Sequence, residues 1–194
     1  SFSKFSSDVH KHNNSKFKQK VIVGLPTFKL DKHVLEEAKK IKNNLKLSGA
    51  KKIICVLDEN SVDDDRWHSG VKFQREVYET TINELLKNND LGIIFKPKVS
   101  FTLKERLGPI NQMLDEALKT KRCFIYSDNY KRSTSTLPIV AAHASDLVIH
   151  SDLSGGTAAI ECAQRNIPTI LIDRERALAS KLRELPKNKI VFDD

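Results

Sequence analysis

The clearest structural signal in the chain is Ser151-Asp-Leu-Ser-Gly-Gly-Thr-Ala-Ala-Ile-Glu-Cys-Ala-Gln-Arg-Asn-Ile-Pro-Thr-Ile-Leu-Ile-Asp173. With the apolar run Leu147-Val-Ile-His150 before it, this stretch predicts a buried strand, a glycine turn, a helix and a second strand. The first N–H groups of a helix have no partner inside the helix, and they lie at the positive end of its dipole. The stretch therefore predicts an anion site at the turn, and a phosphate is the expected anion.

Two glycines and two hydroxyl residues form this turn. Gly155 and Gly156 let a ligand approach the main chain without meeting a Cβ atom. Ser154 or Thr157 can cap the helix or donate a hydroxyl to a phosphate oxygen. A Gly-Gly turn between Ser and Thr also begins many helices that bind nothing, so the turn by itself leaves both interpretations open.

Glu161 is the candidate ribose ligand. It lies four residues beyond Thr157, on the same helix face and about 6 Å further along the axis. A carboxylate at that point can accept hydrogen bonds from both ribose hydroxyls. The structural alternative is an ion pair with Arg165, four residues further on.

Length and composition favour one globular domain. The 194 residues suffice for a single well-buried core, and 39% hydrophobic with 30% charged residues is typical of such a chain. No apolar run approaches the ~20 residues that cross a bilayer, so we expect no integral membrane protein. We expect a cytoplasmic protein, with peripheral attachment to the inner face of the membrane as an alternative.

The net charge of +8 is concentrated near the amino terminus. Residues 1–52 hold 13 Lys against 4 Asp and Glu, whereas residues 53–194 hold 20 Lys and Arg against 21 Asp and Glu. The basic segment is either a solvated lysine-rich surface or a surface for an anionic membrane. Few aromatic residues are interleaved with its lysines, which argues against nucleic acid as a partner.

We predict a flexible basic arm or linker over residues 1–19 and one Rossmann-like domain over residues 20–194. The chain starts without Met and has no signal-peptide core, so we expect it to be a piece of a longer protein.

Cysteines and histidines give no sign of a metal site. Cys55, Cys123 and Cys162 are far apart among apolar neighbours, with no paired His. They are expected to be core residues in a reducing compartment, and no metal is predicted.

Strands and helices alternate along the whole domain. Apolar runs predict strands at 21–24, 52–57, 91–95, 123–126, 147–150, 168–172 and 189–192. Amphipathic periodicity predicts helices at 32–47, 71–88, 102–119, 138–144, 156–166 and 175–184. Gly108-Pro109 is expected to split the region 102–119 into two short helices. The pattern predicts an α/β domain with a mostly parallel sheet covered by helices on both faces.

Polar residues follow several of the predicted strands. In parallel sheets ligands bind beyond the carboxyl ends of the strands, so these residues are site candidates. Three of them are cations that could converge with the glycine turn on a diphosphate: Lys96, Lys98 and Arg132. Three more are candidates for lining the site: Ser127, Asp128 and His150. Each cation is alternatively a solvated surface residue.

The second half of the chain resembles a known family. The pattern runs through Ala144-Ser-Asp-Leu-Val-Ile-His-Ser-Asp-Leu-Ser-Gly-Gly-Thr-Ala-Ala-Ile-Glu161 and continues to Asn166-Ile-Pro168. It is similar to the C-terminal, nucleotide-binding half of GT-B fold glycosyltransferases, in particular the bacterial surface-polysaccharide, Kdo-transferase and CDP-glycerol glycerophosphotransferase-like group. Lys96-Pro97 stands where several of these families carry a His-Pro pair, and Val23-Gly-Leu-Pro26 resembles the end of their N-terminal domain.

This resemblance implies a single GT-B half that binds the nucleotide-sugar donor for bacterial surface polysaccharide biosynthesis. The donor would be a substrate, and no further cofactor or metal is expected. The N-terminal GT-B domain would supply the acceptor site for a glycan or lipid-linked acceptor, together with the catalytic base. The fragment alone is then not expected to transfer the sugar. Helix N–H groups and cations would stabilise the charge on the leaving nucleotide.

Two alternatives to a glycosyltransferase stay open. A UDP-N-acetylglucosamine 2-epimerase-like enzyme shares the fold and a Ser-Gly-Gly turn. A non-catalytic α/β interaction module, with the basic segment facing a membrane, belongs to a different class of protein.

Overall fold

A computed structural model provides the coordinates of the chain. It describes residues 4–16, 18–19, 21–22, 30, 32–58, 70–127, 129, 136–151, 156–173 and 191–193. The chain divides into two compact units, Ser1–Asp31 and Lys32–Asp194. The predicted domain boundary at residues 19 and 20 stays a prediction.

The first unit contains helix α1, Lys4–His12. The prediction of a flexible arm did not include this helix. Its nine residues contain neither Gly nor Pro, and His10, Lys11 and His12 form a basic last turn that suits the negative end of the helix dipole.

The second unit contains a six-stranded parallel sheet. The strands are β1 Lys52–Leu57, β2 Leu91–Lys96, β3 Cys123–Ile125, β4 Leu147–His150, β5 Thr169–Asp173 and β6 Val191–Asp193. Their order across the sheet is β3-β2-β1-β4-β5-β6, and every pair of neighbours is parallel. This is the Rossmann order, which reverses direction between β1 and β4. The predicted α/β class with a parallel sheet is confirmed.

Helices cover both faces of the sheet. They are α2 Lys32–Leu47, α3 Val71–Lys87, α4 Leu103–Leu107, α5 Ile110–Lys119, α6 Pro138–His143 and α7 Thr157–Gln164. Helices α3, α4 and α5 form one layer, and α2, α6 and α7 form the other. The crossovers from β1 to β2 and from β2 to β3 thus run over one face, and those from β3 to β4 and from β4 to β5 run over the opposite face.

An apolar cluster forms the core on the α3 face. It joins Tyr78, Ile82 and Leu85 of α3 to alternate residues of the strands, such as Val56 and Phe95. The rings of Tyr78 and Phe95 stack with their centroids 4.3 Å apart. Alternate strand residues therefore define the α3 face, and the residues between them face α2, α6 and α7.

Most of the predicted elements are confirmed to within two residues. The split at Gly108-Pro109 is confirmed, because α4 ends at Leu107 and α5 begins at Ile110. The strand predicted at 21–24 is absent at Val21 and Ile22, and its remainder lies outside the described residues. The helix predicted at 175–184 also lies outside them.

Buried polar side chains fasten the turns at the amino edge of the sheet. The Arg122 guanidinium donates from Nη1 to the carbonyls of Leu85, Asn88 and Leu91, at 3.1, 2.8 and 2.7 Å. Two of these carbonyls lie at the carboxyl end of α3, where helix carbonyls lack intrahelical partners. Arg122 thus ties α3 to the starts of β2 and β3.

Asp146 performs a similar task for β1 and β4. Its carboxylate accepts from Nζ of Lys42 at 2.7 Å and from the backbone N–H of Ile53 at 2.9 Å. This pair of contacts fixes α2 and the starts of both central strands at the amino edge.

Within the described ranges, no helix is both long and apolar enough to cross a lipid bilayer.

Candidate functional site at the carboxyl edge of the sheet

The strand order identifies where the sheet can bind a ligand. In open parallel sheets, ligands bind beyond the carboxyl ends of the strands where the order reverses, because the loops diverge there and leave a crevice. In this sheet that point lies between β1, which ends at Leu57, and β4, which ends at His150. Of the predicted glycine turn, the structure describes Gly156 and Thr157, which begin the helix that follows β4 in the chain.

Helix α7 begins at this turn. Gly156 is its N-cap residue, is buried, and accepts a hydrogen bond from the Ile160 N–H at 2.8 Å. No side chain of the N-cap residue caps the helix, since Gly156 has none. Thr157, the first helical residue, is exposed. The start of α7 thus combines a buried glycine with an exposed hydroxyl residue at the switch point.

Glu161 lies one turn into α7 and forms an ion pair. Its Oε1 lies 3.3 Å from Nη2 of Arg165, and both side chains are mostly buried, at 17% and 21% exposure. This ion pair is the structural alternative to a ribose contact that the sequence predicted for Glu161. Arg165 also acts on His143 of α6, whose pKa is lowered by burial and by the Arg165 charge. The Glu161 face of α7 is therefore turned towards α6.

A row of residues crosses the carboxyl edge on the α6 face. Leu57 is in register with Lys96 on one side and with His150 on the other. The pairing of Phe95 with Ile125 makes Tyr126 the neighbour of Lys96, and the Tyr126 N–H donates to the Phe95 carbonyl at 3.0 Å. We call Tyr126, Lys96, Leu57 and His150 the carboxyl row.

The three polar members of the carboxyl row are buried. Tyr126, Lys96 and His150 are 3%, 4% and 1% exposed. Nζ of Lys96 donates to the carbonyl of Pro97 at 2.8 Å. Neighbouring strands are about 4.8 Å apart, so Lys96 and His150 lie roughly 10 Å from each other across β1.

The two lysines after β2 have different surroundings. Lys96 is buried at the strand end, whereas the Lys98 side chain is exposed. The backbone N–H of Lys98 donates to Oδ1 of Asp58 at 2.8 Å, which fixes the loop that carries both lysines. Lys98 is thus the cation of this pair that solvent and ligands can reach directly.

Asp58 is a buried carboxylate that the sequence analysis missed. It follows β1 directly, and its Oδ2 accepts from Nε2 of Gln74 at 2.7 Å and from the hydroxyl of Tyr78 at 3.0 Å. Burial raises the pKa of Asp58 above its ordinary value, although the Lys98 N–H, the Arg106 charge and these two donors oppose the shift. The only signal in the sequence is an acidic residue directly after an apolar strand. This signal does not distinguish a site residue from an ordinary acidic loop residue.

Several sequence-predicted site residues cannot be placed. Ser154, Gly155, Asp128 and Arg132 lie outside the described residues. Ser127 is described and half-buried just beyond β3, where its N–H donates to the Ile125 carbonyl. Of the predicted site residues, Lys96 and His150 belong to the carboxyl row, and Ser127 lies just beyond the β3 end of that row. Gly156, Thr157 and Glu161 lie at the start and in the first turns of α7.

The cysteines are core residues, as predicted. Cys55, Cys123 and Cys162 are buried and form no disulfide. Burial raises the pKa of Cys123 and of Cys162 to about 12. These thiols therefore stay neutral and are poor nucleophiles. Among the residues that the structure describes, no cluster of His, Cys, Asp and Glu could hold a metal ion.

Comparisons with known proteins give a distant structural likeness. No family model and no curated protein sequence match this chain. Among solved structures it is similar to KpsC, the beta Kdo 2,7 transferase of Thermosulfurimonas dismutans, with 17% identity and a TM-score of 0.34. The match covers 74% of this chain and 42% of KpsC, so the chain spans less than half of that protein.

Proposed function

We propose that this chain binds a nucleotide-sugar donor at the carboxyl edge between β1 and β4, as the donor-binding half of a glycosyltransferase. One observation carries the proposal. The strand order β3-β2-β1-β4-β5-β6 brings the start of α7 to the switch point, which is where sheets of this order bind nucleotides.

The start of α7 is the proposed phosphate site. The backbone N–H groups of its first turn and the positive end of its dipole favour an anion. The buried Gly156 offers main chain without a side chain, and Thr157 adds an exposed hydroxyl residue. Lys98 lies exposed at the same edge and adds a positive charge to the crevice.

Glu161 is the proposed ribose ligand. Its Oε1 is held by Arg165, which leaves Oε2 and the second lone pair of Oε1 as acceptors for ribose hydroxyls. The ion pair also orients the carboxylate before the ligand arrives. The pair and the ribose contact are therefore compatible, and the pair positions the group that would bind ribose.

The proposed chemistry is stabilisation of the leaving nucleotide. When an acceptor hydroxyl attacks the anomeric carbon, the bond to the nucleotide phosphate breaks and negative charge grows on that phosphate. Fixed N–H dipoles and nearby cations stabilise this charge without reorganisation. The general base, the acceptor site for a glycan or lipid-linked acceptor, and the role in surface polysaccharide biosynthesis would come with an N-terminal GT-B domain at the cytoplasmic face of the membrane.

The test is calorimetric titration of this chain with UDP, CDP, GDP and CMP and with a sugar-bearing form of each. We expect one nucleotide series to bind with a one-to-one stoichiometry. If no member binds, the proposed function is wrong.

A valine at Gly156 tests the position of the phosphate. The residue has φ −55°, which any residue adopts, so Gly156→Val acts through its added side chain. We expect nucleotide affinity to fall at least a hundredfold, because the valine occupies the approach to the first N–H groups of α7.

The matched control is Ala163→Val, an exposed position near the other end of α7. It adds a valine to the same helix at a propensity cost of up to about 0.7 kcal/mol, and should leave affinity unchanged. Thermal melting of both variants checks that they fold. Full affinity in a folded Gly156→Val protein would place the phosphate elsewhere.

A further inference from the structure

Tyr126 carries a buried hydroxyl without a hydrogen-bond partner. The residue is 3% exposed and ends the carboxyl row at β3, and its phenolic oxygen makes no hydrogen bond to any part of the chain that the structure describes. Nearly all buried polar side-chain atoms in proteins are partnered, and leaving one unpaired costs stability. A phenylalanine would fill the same space without this cost, so the hydroxyl requires an explanation.

The surroundings of Tyr126 keep its phenol neutral and fixed. Burial raises the pKa of Tyr126 above its ordinary value, and the charge of Glu37 on α2 acts in the same direction. The phenol therefore retains its proton and can donate a hydrogen bond. Phe124 packs against the ring at a centroid distance of 4.9 Å in an edge-on arrangement, which restricts how the ring can turn.

The carboxyl row separates Tyr126 from the proposed phosphate site. Tyr126 lies three strands from His150, and at about 4.8 Å per strand this is roughly 14 Å. A phosphate at the start of α7 cannot reach Tyr126. Only a ligand the length of a nucleotide or a nucleotide sugar can contact both ends of the row.

We infer that Tyr126 belongs to a second subsite of the same ligand and donates a hydrogen bond to an oxygen at the end farthest from the phosphate. That oxygen is a nucleobase carbonyl or a hydroxyl of the transferred sugar. This inference rests on the proposed function, since it takes the phosphate to lie at α7. It adds the chemistry of the far end, a neutral oxygen acceptor.

Tyr78 provides a matched comparison within the same domain. It is also fully buried, but its hydroxyl donates to Asp58. Tyr78→Phe removes a hydrogen bond that the fold uses, whereas Tyr126→Phe removes a hydroxyl that the ligand-free protein does not use. The same substitution should therefore have opposite effects at the two positions.

The experiment combines thermal melting with titration of both variants. We expect Tyr126→Phe to leave the melting temperature of the ligand-free protein unchanged or raised, and Tyr78→Phe to lower it. Affinity should fall about three- to tenfold in Tyr126→Phe, the loss of one hydrogen bond. Tyr78→Phe should lose less affinity than Tyr126→Phe does.

The choice of probe tells which end of the ligand Tyr126 contacts. A loss with both nucleotide and nucleotide sugar identifies the base, and a loss with the nucleotide sugar alone identifies the sugar. Inorganic phosphate should bind equally to parent and variant.

Two results would overturn the inference while leaving the proposed function intact. One is equal affinity of parent and Tyr126→Phe for every probe. The other is a melting temperature lowered as much in Tyr126→Phe as in Tyr78→Phe, which would show that the hydroxyl supports the fold. If the parent binds no nucleotide at all, the proposed function fails and this inference fails with it.

Discussion

The two edges of the sheet use their polar side chains differently. At the amino edge, Arg122 donates hydrogen bonds to three backbone carbonyls. Asp146 accepts hydrogen bonds from Lys42 and from a backbone N–H. At the carboxyl edge, Asp58 and Lys96 also have partners within the chain, but the Tyr126 hydroxyl has none among the described residues. The amino-edge groups therefore stabilise the fold, whereas the Tyr126 hydroxyl lowers stability, which is expected where a ligand binds.

Asp146 at the amino edge and Asp58 at the carboxyl edge have pKa values that are shifted in opposite directions. Desolvation raises the pKa of Asp146, but the Lys42 and Ile53 hydrogen bonds and the charges of Lys42 and Lys46 outweigh it, and the net pKa is lowered. For Asp58 at the carboxyl edge, burial dominates and the pKa is raised. At neutral pH the ionised Asp146 thus stabilises the folded state, whereas ionised Asp58 carries a desolvation cost.

The largest effect is expected from removing the amino-edge guanidinium. Arg122→Ala leaves the carbonyls of Leu85, Asn88 and Leu91 without their donor in a buried region. We expect the free energy of unfolding to fall by about 3 kcal/mol, because hydrogen bonds from a charged donor contribute roughly 1.5–3 kcal/mol each and part is recovered by water. Urea unfolding at neutral pH measures the change.

The control for Arg122→Ala is Lys121→Ala, an exposed neighbour, which should change stability by less than about 0.5 kcal/mol. A loss below 1 kcal/mol in Arg122→Ala would show that the amino edge does not depend on this residue, and the contrast between the edges would then fail.

The elements of this fold could be predicted from sequence because their signals are local. An apolar run such as Leu91–Lys96 and the helix break at Gly108-Pro109 are encoded by adjacent residues. Helix α1 was not predicted, because the polar composition of residues 1–19 indicated a flexible arm. A polar segment without Gly or Pro keeps enough helix propensity to form a short helix.

The site was harder to predict because it depends on register between distant segments. Lys96 and His150 were candidates singly, but only the shared register with Leu57 puts them in one row. The sequence predicts Tyr126 only as the last residue of a strand. The absence of a partner for its hydroxyl is a tertiary property that no sequence pattern shows.

A smaller effect is expected at Glu161, the proposed ribose ligand. Glu161→Gln keeps the shape of the side chain and removes the charge. We expect the affinity for the ribonucleotide that binds best to fall by up to tenfold, about 1.4 kcal/mol, and that of its 2′-deoxy analogue to fall less. Stability should change by only about 0.2–0.5 kcal/mol, the usual worth of such a pair in a helix.

Arg165→Gln is the matched control for Glu161→Gln, because it removes the same ion pair and leaves the carboxylate. If both variants weaken ribo- and deoxyribonucleotides equally, Glu161 acts through the ion pair and does not touch the ribose.

The smallest effect, and the one with a defined pH dependence, is expected at Asp146. The side chains of Lys42 and Asp146 are 26% and 32% exposed, so solvent screens their interaction. We expect Asp146→Asn to cost at most about 1 kcal/mol of stability at pH 7.

The pKa of Asp146 is lowered in the folded state, so the stabilisation by its ionised carboxylate is complete above the ordinary aspartate pKa of about 3.9. It is lost as pH falls below that value through the folded pKa. Urea unfolding at pH 7, 5 and 3.5 should therefore show a difference between parent and Asp146→Asn that is constant at the two higher values and smaller at the lowest. A difference that grows as pH falls would mean that desolvation outweighs the Lys42 contact, and Asp146 would then resemble Asp58 at the opposite edge.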